Sequence, residues 1–170
     1  QAIIRAAETG DTGYPYGTAY AEAVARFASE RWGWDGLDPS RAALVPDVMM
    51  GIVETLRLVT SPGDAVVVTS PVYAPFFAFV THADRQVVET SLTTDGRLDP
   101  AAIEDALLRA RSAGSERPVV LLSNPHNPTG TVHSRAELEA TAEVARRHGA
   151  RIVSDEIHAP LVYAGSAHVP

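Results

Sequence analysis

The chain has 170 residues, 45% hydrophobic and 21% charged, a formal net charge of −7 and no Cys. This is enough chain to bury a real core within one domain. The acidic balance argues against a broad phosphate-binding surface, so nucleic acid is not an expected partner, and the lack of Cys excludes disulfides, a thiolate metal site and a Cys nucleophile.

Residues 1–17, rich in Gly and Tyr, read as irregular. From Thr18 to Trp32, Ala21, Val24, Ala25, Phe27 and Ala28 recur at helical spacing. Gly33, Gly36, Asp38 and Pro39 break that pattern. Ala42 to Val45 is a short apolar strand candidate. Asp47 is placed to cap a helix over 48–59. Ser61-Pro62-Gly63-Asp64 is a turn, and the β-branched run Ala65 to Thr69 is a strand. Pro71 to Pro75 opens a helix over 76–82, and Gln86 to Glu89 is a strand. Asp99 begins a helix with Pro100 at its first position and Ile103, Ala106, Leu107 and Ala110 on one face. Pro118 to Ser123 is a strand. Ser134 and Glu137 form part of a capping box for a helix running to His148, which Gly149 ends. Arg151 to Ser154 is the last strand.

Strands alternating with helices of this length predict an α/β fold: a mostly parallel sheet with flanking helices in a three-layer sandwich. Right-handed crossovers place the strand ends on one rim, where open α/β sheets bind ligands. Two segments fall just after predicted strands there: Ser123-Asn124-Pro125-His126-Asn127-Pro128-Thr129-Gly130 and Asp155-Glu156-Ile157-His158. An amide and a carboxylate brought together at that rim suit the two polar edges of a flat heteroaromatic ring. A carboxylate at Asp155 would keep a pyridine nitrogen protonated, and so make the ring an electron sink. Taken alone, Asp155 reads first as a solvated loop carboxylate or a helix cap, and Asn127 as a turn residue. Tyr73, between two prolines, is either a ring laid on a cofactor or a packing residue. Val48, Met49 and Met50 open a helix whose free N–H groups suit a phosphate.

His126, His133 and His158 make no metal pattern, and no metal is expected. Asp-Glu-Ile-His after an apolar strand also resembles the Mg²⁺ box of DExH helicases. That box needs a Gly-rich loop with a phosphate-binding Lys; all 14 basic residues here are Arg. No apolar run approaches the roughly 18 residues of a membrane span, and a cytoplasmic location with no membrane partner is expected. Because the chain begins at Gln1 rather than Met, it is expected to be a piece of a longer protein.

Together, Gly13-Tyr14-Pro15-Tyr16-Gly17, Ser61-Pro62-Gly63-Asp64, Pro71-Val72-Tyr73-Ala74-Pro75-Phe76, Asn124 to Gly130 and Asp155-Glu156-Ile157-His158 occur in order and at suitable spacing. In this the chain resembles the class I/II aminotransferases, fold type I pyridoxal phosphate enzymes. The form Asp-Glu-Ile-His with Pro-Val-Tyr-x-Pro-Phe is most similar to the cystathionine β-lyase-like C–S lyase branch. The resemblance implies pyridoxal 5′-phosphate as cofactor. Asp155 would pair with the ring nitrogen, Asn127 would bond the phenolic oxygen and Tyr73 would stack on the ring. The backbone at Val48 and Met49 would meet the phosphate. Tyr14 would reach the neighbouring subunit's cofactor in a homodimer, and His158 stands where many aminotransferases have a Tyr bonding the phenolic oxygen.

The implied activity is α,β-elimination from a sulfur-containing amino acid, releasing a thiol, pyruvate and ammonia. Alternatives are an aminotransferase and an aminotransferase-like effector domain of a transcription regulator. Residues 1–170 would be the N-terminal part of the cofactor-binding large domain. The Schiff-base Lys, the substrate-carboxylate Arg and the small C-terminal domain would lie outside the chain, so no catalytic residue is expected within it and it should be inactive alone.

Overall fold

The computed structural model describes residues 1–10, 13 and 17–170. They form two compact units, Gln1–Ala43 and Leu44–Pro170. The first carries α1 (Ala2–Thr9), α2 (Ala19–Trp32) and a 3-10 turn at Pro39–Arg41. α1 corrects the expectation of an irregular N-terminus. Ile3, Ile4, Ala6 and Ala7 give it an apolar face, and Gly10, at φ 72°, closes it in the left-handed conformation. The Gly- and Tyr-rich composition of the segment's second half does not extend back over these residues. α2 begins one residue later than expected and ends on a left-handed Gly33.

In the second unit, α3 (Val48–Val59), β1 (Ala65–Ser70), α4 (Pro75–His82), β2 (Gln86–Ser91), α5 (Pro100–Ser112), β3 (Val119–Ser123), α6 (Arg135–Arg147) and β4 (Arg151–Asp155) follow in turn. The strand expected at Ala42 to Val45 is absent. Those residues pair with no strand of the sheet, and Leu44 and Val45 are exposed; apolar composition alone does not supply a ladder partner. Elsewhere the strand and helix bounds agree with the sequence to within two residues.

Local chemistry accounts for the starts and stops. The Asp47 side chain accepts from the Met50 N–H at 2.8 Å and caps α3. Asp99 accepts from the Ala101 and Ala102 N–H groups, with Pro100 at the first helical position of α5. Ser134 and Glu137 complete a full reciprocal capping box on α6, where only half was expected. Gly63, at φ 86°, makes the turn from α3 into β1 that a side chain would strain.

The sheet is four-stranded and parallel in the order β2-β1-β3-β4. Alternation along its central strands builds the sandwich. Val66 and Val68 of β1 and Val119 and Leu121 of β3 pack with Ile52 and Leu56 of α3 and Phe76 and Val80 of α4. Val67, Val120 and Leu122 pack on the other face with Ile103, Ala106 and Leu107 of α5 and Val144 of α6. All of these are nearly fully buried, each large side chain contributing about 1.5–3 kcal/mol relative to exposure. The connection from β1 runs to β2 on one side, whereas the next crosses back to β3 on the other. The strand order therefore reverses between β1 and β3, which opens a crevice at their carboxyl ends.

Candidate functional site

The carboxyl ends of β1, β3 and β4 converge on one cleft of about 570 Å³ with the N-terminus of α3. Its lining includes Val48, Met49, Tyr73, Asn127, Asp155 and His158. The described candidates other than Met50 therefore lie in one cavity, and Asn127 and Asp155 share a side of the sheet; the Met50 N–H, expected to be free for a phosphate, is instead taken by the Asp47 cap. Tyr14 lies outside the described residues.

Asp155 ends β4, one residue further along the strand than expected, and is 9% exposed. One carboxylate oxygen accepts from the Ile157 N–H at 3.1 Å; the other has no protein partner among the described residues. Burial pushes its carboxyl above the usual carboxylate range, against the pull of that N–H and of His158. A buried acid so poorly supplied with donors is suited to a cationic partner.

The loop after β3 is stitched in place by its own backbone. The Asn127 N–H donates to the Ser123 hydroxyl at 3.0 Å, and the Asn127 carbonyl accepts from the Tyr73 N–H at 3.0 Å. The loop after β1 is thus tied to the loop after β3. Tyr73 keeps an edge-to-face contact with Phe76, centroids 6.1 Å apart, yet remains 40% exposed. Its ring is anchored at one edge and open for a further contact. At α3, the side chain of Asp47 serves Met50 and its carbonyl serves Gly51, whereas the Val48 and Met49 N–H groups have no acceptor among the described residues. Two free donors at a helix N-terminus make an anion cradle.

Asp47, Pro75, Phe79, Ser123 and Ile157 also line the cleft and were not foreseen as site residues. Ser123 was the traceable one: it ends a strand and starts the segment that carries Asn127. Among the described residues no cluster of three or more His, Asp or Glu could hold a metal ion, and no helix is long and apolar enough to cross a membrane.

The family model described as aminotransferase class I and II matches residues 1–170. The chain belongs to the class I and II aminotransferase family. Among curated relatives, a Mycobacterium leprae protein provisionally named cystathionine beta-lyase is 60% identical over 100% of this chain and 43% of its own length. The cystathionine beta-lyase of Corynebacterium glutamicum is 36% identical, over 98% of this chain and 43% of its own. A solved structure from Corynebacterium diphtheriae, provisionally named a PLP-dependent beta-cystathionase, superposes with a TM-score of 0.84 at 32% identity, covering 99% of this chain and 43% of that one. The chain spans less than half the length of these relatives.

Proposed function

We propose that this chain is the N-terminal part of the cofactor-binding domain of a pyridoxal phosphate-dependent C–S β-lyase of the cystathionine β-lyase kind. The observation that carries the reading is the single cleft holding a donor-poor buried acid, an amide on a backbone-fixed loop, an open aromatic face and a free helix N-terminus. These groups fit the four faces of pyridoxal phosphate: nitrogen, phenolic oxygen, ring plane and phosphate. When bound, the cofactor supplies an electron sink for negative charge developing at the substrate Cα.

The residues of the chain then have separate tasks. Asp155 holds a proton on the ring nitrogen, and in turn gains the cationic partner that its burial calls for. Asn127 donates to the phenolic oxygen, with His158 beside it at the same edge. Tyr73 covers the ring and keeps water off that face. The Val48 and Met49 N–H groups receive the phosphate. Imine formation and Cα proton transfer both require an amine, and the chain has no Lys. We assign that amine, and the Arg that receives the substrate carboxylate, to the remainder of a longer protein, a cytoplasmic homodimer in which Tyr14 reaches the neighbouring cofactor. The net charge of −7 supports the absence of a nucleic-acid partner.

The β-lyase names of the relatives favour elimination, with a sulfur-containing amino acid as substrate. The breadth of the family supports transamination as the second reading. Both share proton removal from Cα and differ in whether a thiolate then leaves Cβ. The complete protein is expected to release pyruvate from cystathionine or a cysteine S-conjugate. Stoichiometric consumption of a keto acid instead would establish the aminotransferase. Cofactor uptake with neither activity would favour the regulatory effector.

A further inference from the structure

His126, the residue before Asn127, is 2% exposed and does not line the cleft. The loop turns back on itself at Gly130, at φ 72°, through the bonds His126 N–H to Thr131 carbonyl (2.8 Å) and Gly130 N–H to His126 carbonyl (2.8 Å). That reversal lays the His133 ring edge-on against His126, with centroids 5.8 Å apart and planes at 78°. The His126 ring lies beside the carbonyl of Thr69 in β1, and the His133 ring beside the carbonyl of Ser123 in β3. The two imidazoles therefore bridge the strand ends that lead to Tyr73 and Asn127. Behind them, Glu137 stands 4.0 Å from His133 Nδ1 and is fixed by the Arg97 guanidinium and by Ser134.

This arrangement is costly as packing. Nε2 of His126 and both ring nitrogens of His133 are buried and make no well-aligned hydrogen bond among the described residues, the Thr69 and Ser123 carbonyls serving the rings only in part. A buried polar atom served this poorly costs up to about 1–3 kcal/mol, which a pair of apolar side chains would avoid. Departures of this kind in a native fold call for an explanation and gather near functional sites.

We propose that His126 and His133 are a positioning pair: their buried edge-to-face contact, backed by Glu137 and Arg97, holds the Asn127 amide at the phenolic oxygen of the bound cofactor, a role that rests on the pyridoxal phosphate reading above. The pair acts through shape and orientation and not through charge. Burial lowers both imidazoles below the ordinary histidine value, His133 to about 4 with His126 adding to the effect, so both are neutral at pH 7. Asn127 donation favours the ionised phenolic oxygen, so a displaced amide raises the pH at which that oxygen ionises.

The test uses the complete protein loaded with pyridoxal phosphate and reads the pH midpoint of the bound cofactor's visible absorption change. His133→Ala is expected to raise that midpoint by about half to one pH unit, the equivalent of one hydrogen bond. The direction should match Asn127→Ala, and added imidazole should reverse it. His133→Asn, a milder change, should shift it less. Leu107→Ala, a cavity in the opposite core face, should lower the melting temperature without moving the midpoint. An unmoved midpoint in both His133 variants with cofactor retained would overturn the pair's role, as would an equal shift in Leu107→Ala. Should the unsubstituted protein take up no cofactor, the parent reading fails and this one with it.

Discussion

The two ends of the sheet each bury an aspartate, and the two are treated in opposite ways. At the amino end, Asp64 is 5% exposed and accepts from the Ser61, Glu116 and Arg117 N–H groups and the Ser115 hydroxyl. Burial alone would lift its carboxyl, but these donors outweigh it and hold the group below the usual carboxylate range. At the carboxyl end, Asp155 is similarly buried, has one donor, and is pushed upwards. The first aspartate is complete within the fold and ties the turn before β1 to the loop before β3. The second is left wanting a positive partner. Saturation marks the end that serves stability; deficiency marks the end we propose serves a ligand.

That contrast breaks most visibly at Asp155. In the complete protein, Asp155→Ala is expected to reduce Cα-proton exchange by about three orders of magnitude, since preorganised electrostatics is usually a large catalytic term. Its effect on the ligand-free fold should be nil or slightly stabilising, because the ionised group is disfavoured there. An unchanged exchange rate, followed by NMR in deuterated water, would remove Asp155 as ring partner. Asp64→Ala should do the reverse and lower unfolding free energy by about 4 kcal/mol, because several buried donors lose their acceptor at once. A denaturant midpoint close to that of the unsubstituted chain would refute the structural role.

Acid titration sharpens the comparison further. His133 is held to about 4 in the fold, from an ordinary value of 6.5. Its neutral form is favoured by folding, so its contribution is fully present above pH 6.5 and disappears as pH falls towards 4, a loss of about 3 kcal/mol. Glu137 follows lower down. Burial raises it, but Arg97 and Ser134 hold it at about 2, so its contribution is present above 4.5 and disappears towards 2. Asp155, with its raised carboxyl, works in the opposite sense and relieves the fold as it protonates. Melting temperatures measured from pH 7 down to 4 should therefore fall, and His133→Asn should flatten the upper part of the decline. The smallest effect is expected at α6, where Ser134→Ala removes one half of the capping box and costs about 1 kcal/mol in chemical denaturation.

Much of this was legible from residue order. Asn127 and Asp155 were identifiable because each sits where an apolar run stops, and strand ends in such sheets share a rim. α3 was identifiable from Asp47 and the apolar spacing behind it. Partnership across the sheet was not. Nothing in the spacing of His126 and His133 announces an edge-to-face pair, since it depends on the reversal at Gly130. Nor does Asp64, within a turn motif, reveal that it collects donors from residues more than fifty positions away. Phe79 was hidden for a related reason: a helix of eight residues exposes little periodicity, and which side meets the cleft follows from how α4 crosses the sheet. The α1 helix and the unpaired Ala42 to Val45 run show the converse error, in which composition outweighed pairing.

The 3.0 Å bond between the Tyr73 amide and the Asn127 carbonyl has a consequence for anyone redesigning this pocket. The group proposed to cover the ring and the group proposed to grip its rim are mechanically a single part. Remodelling the loop behind β1 to admit a bulkier ligand would drag the rim contact along with it. Altered selectivity is therefore more accessible through α3 or the far wall at Ile157, which can be varied without disturbing that shared joint.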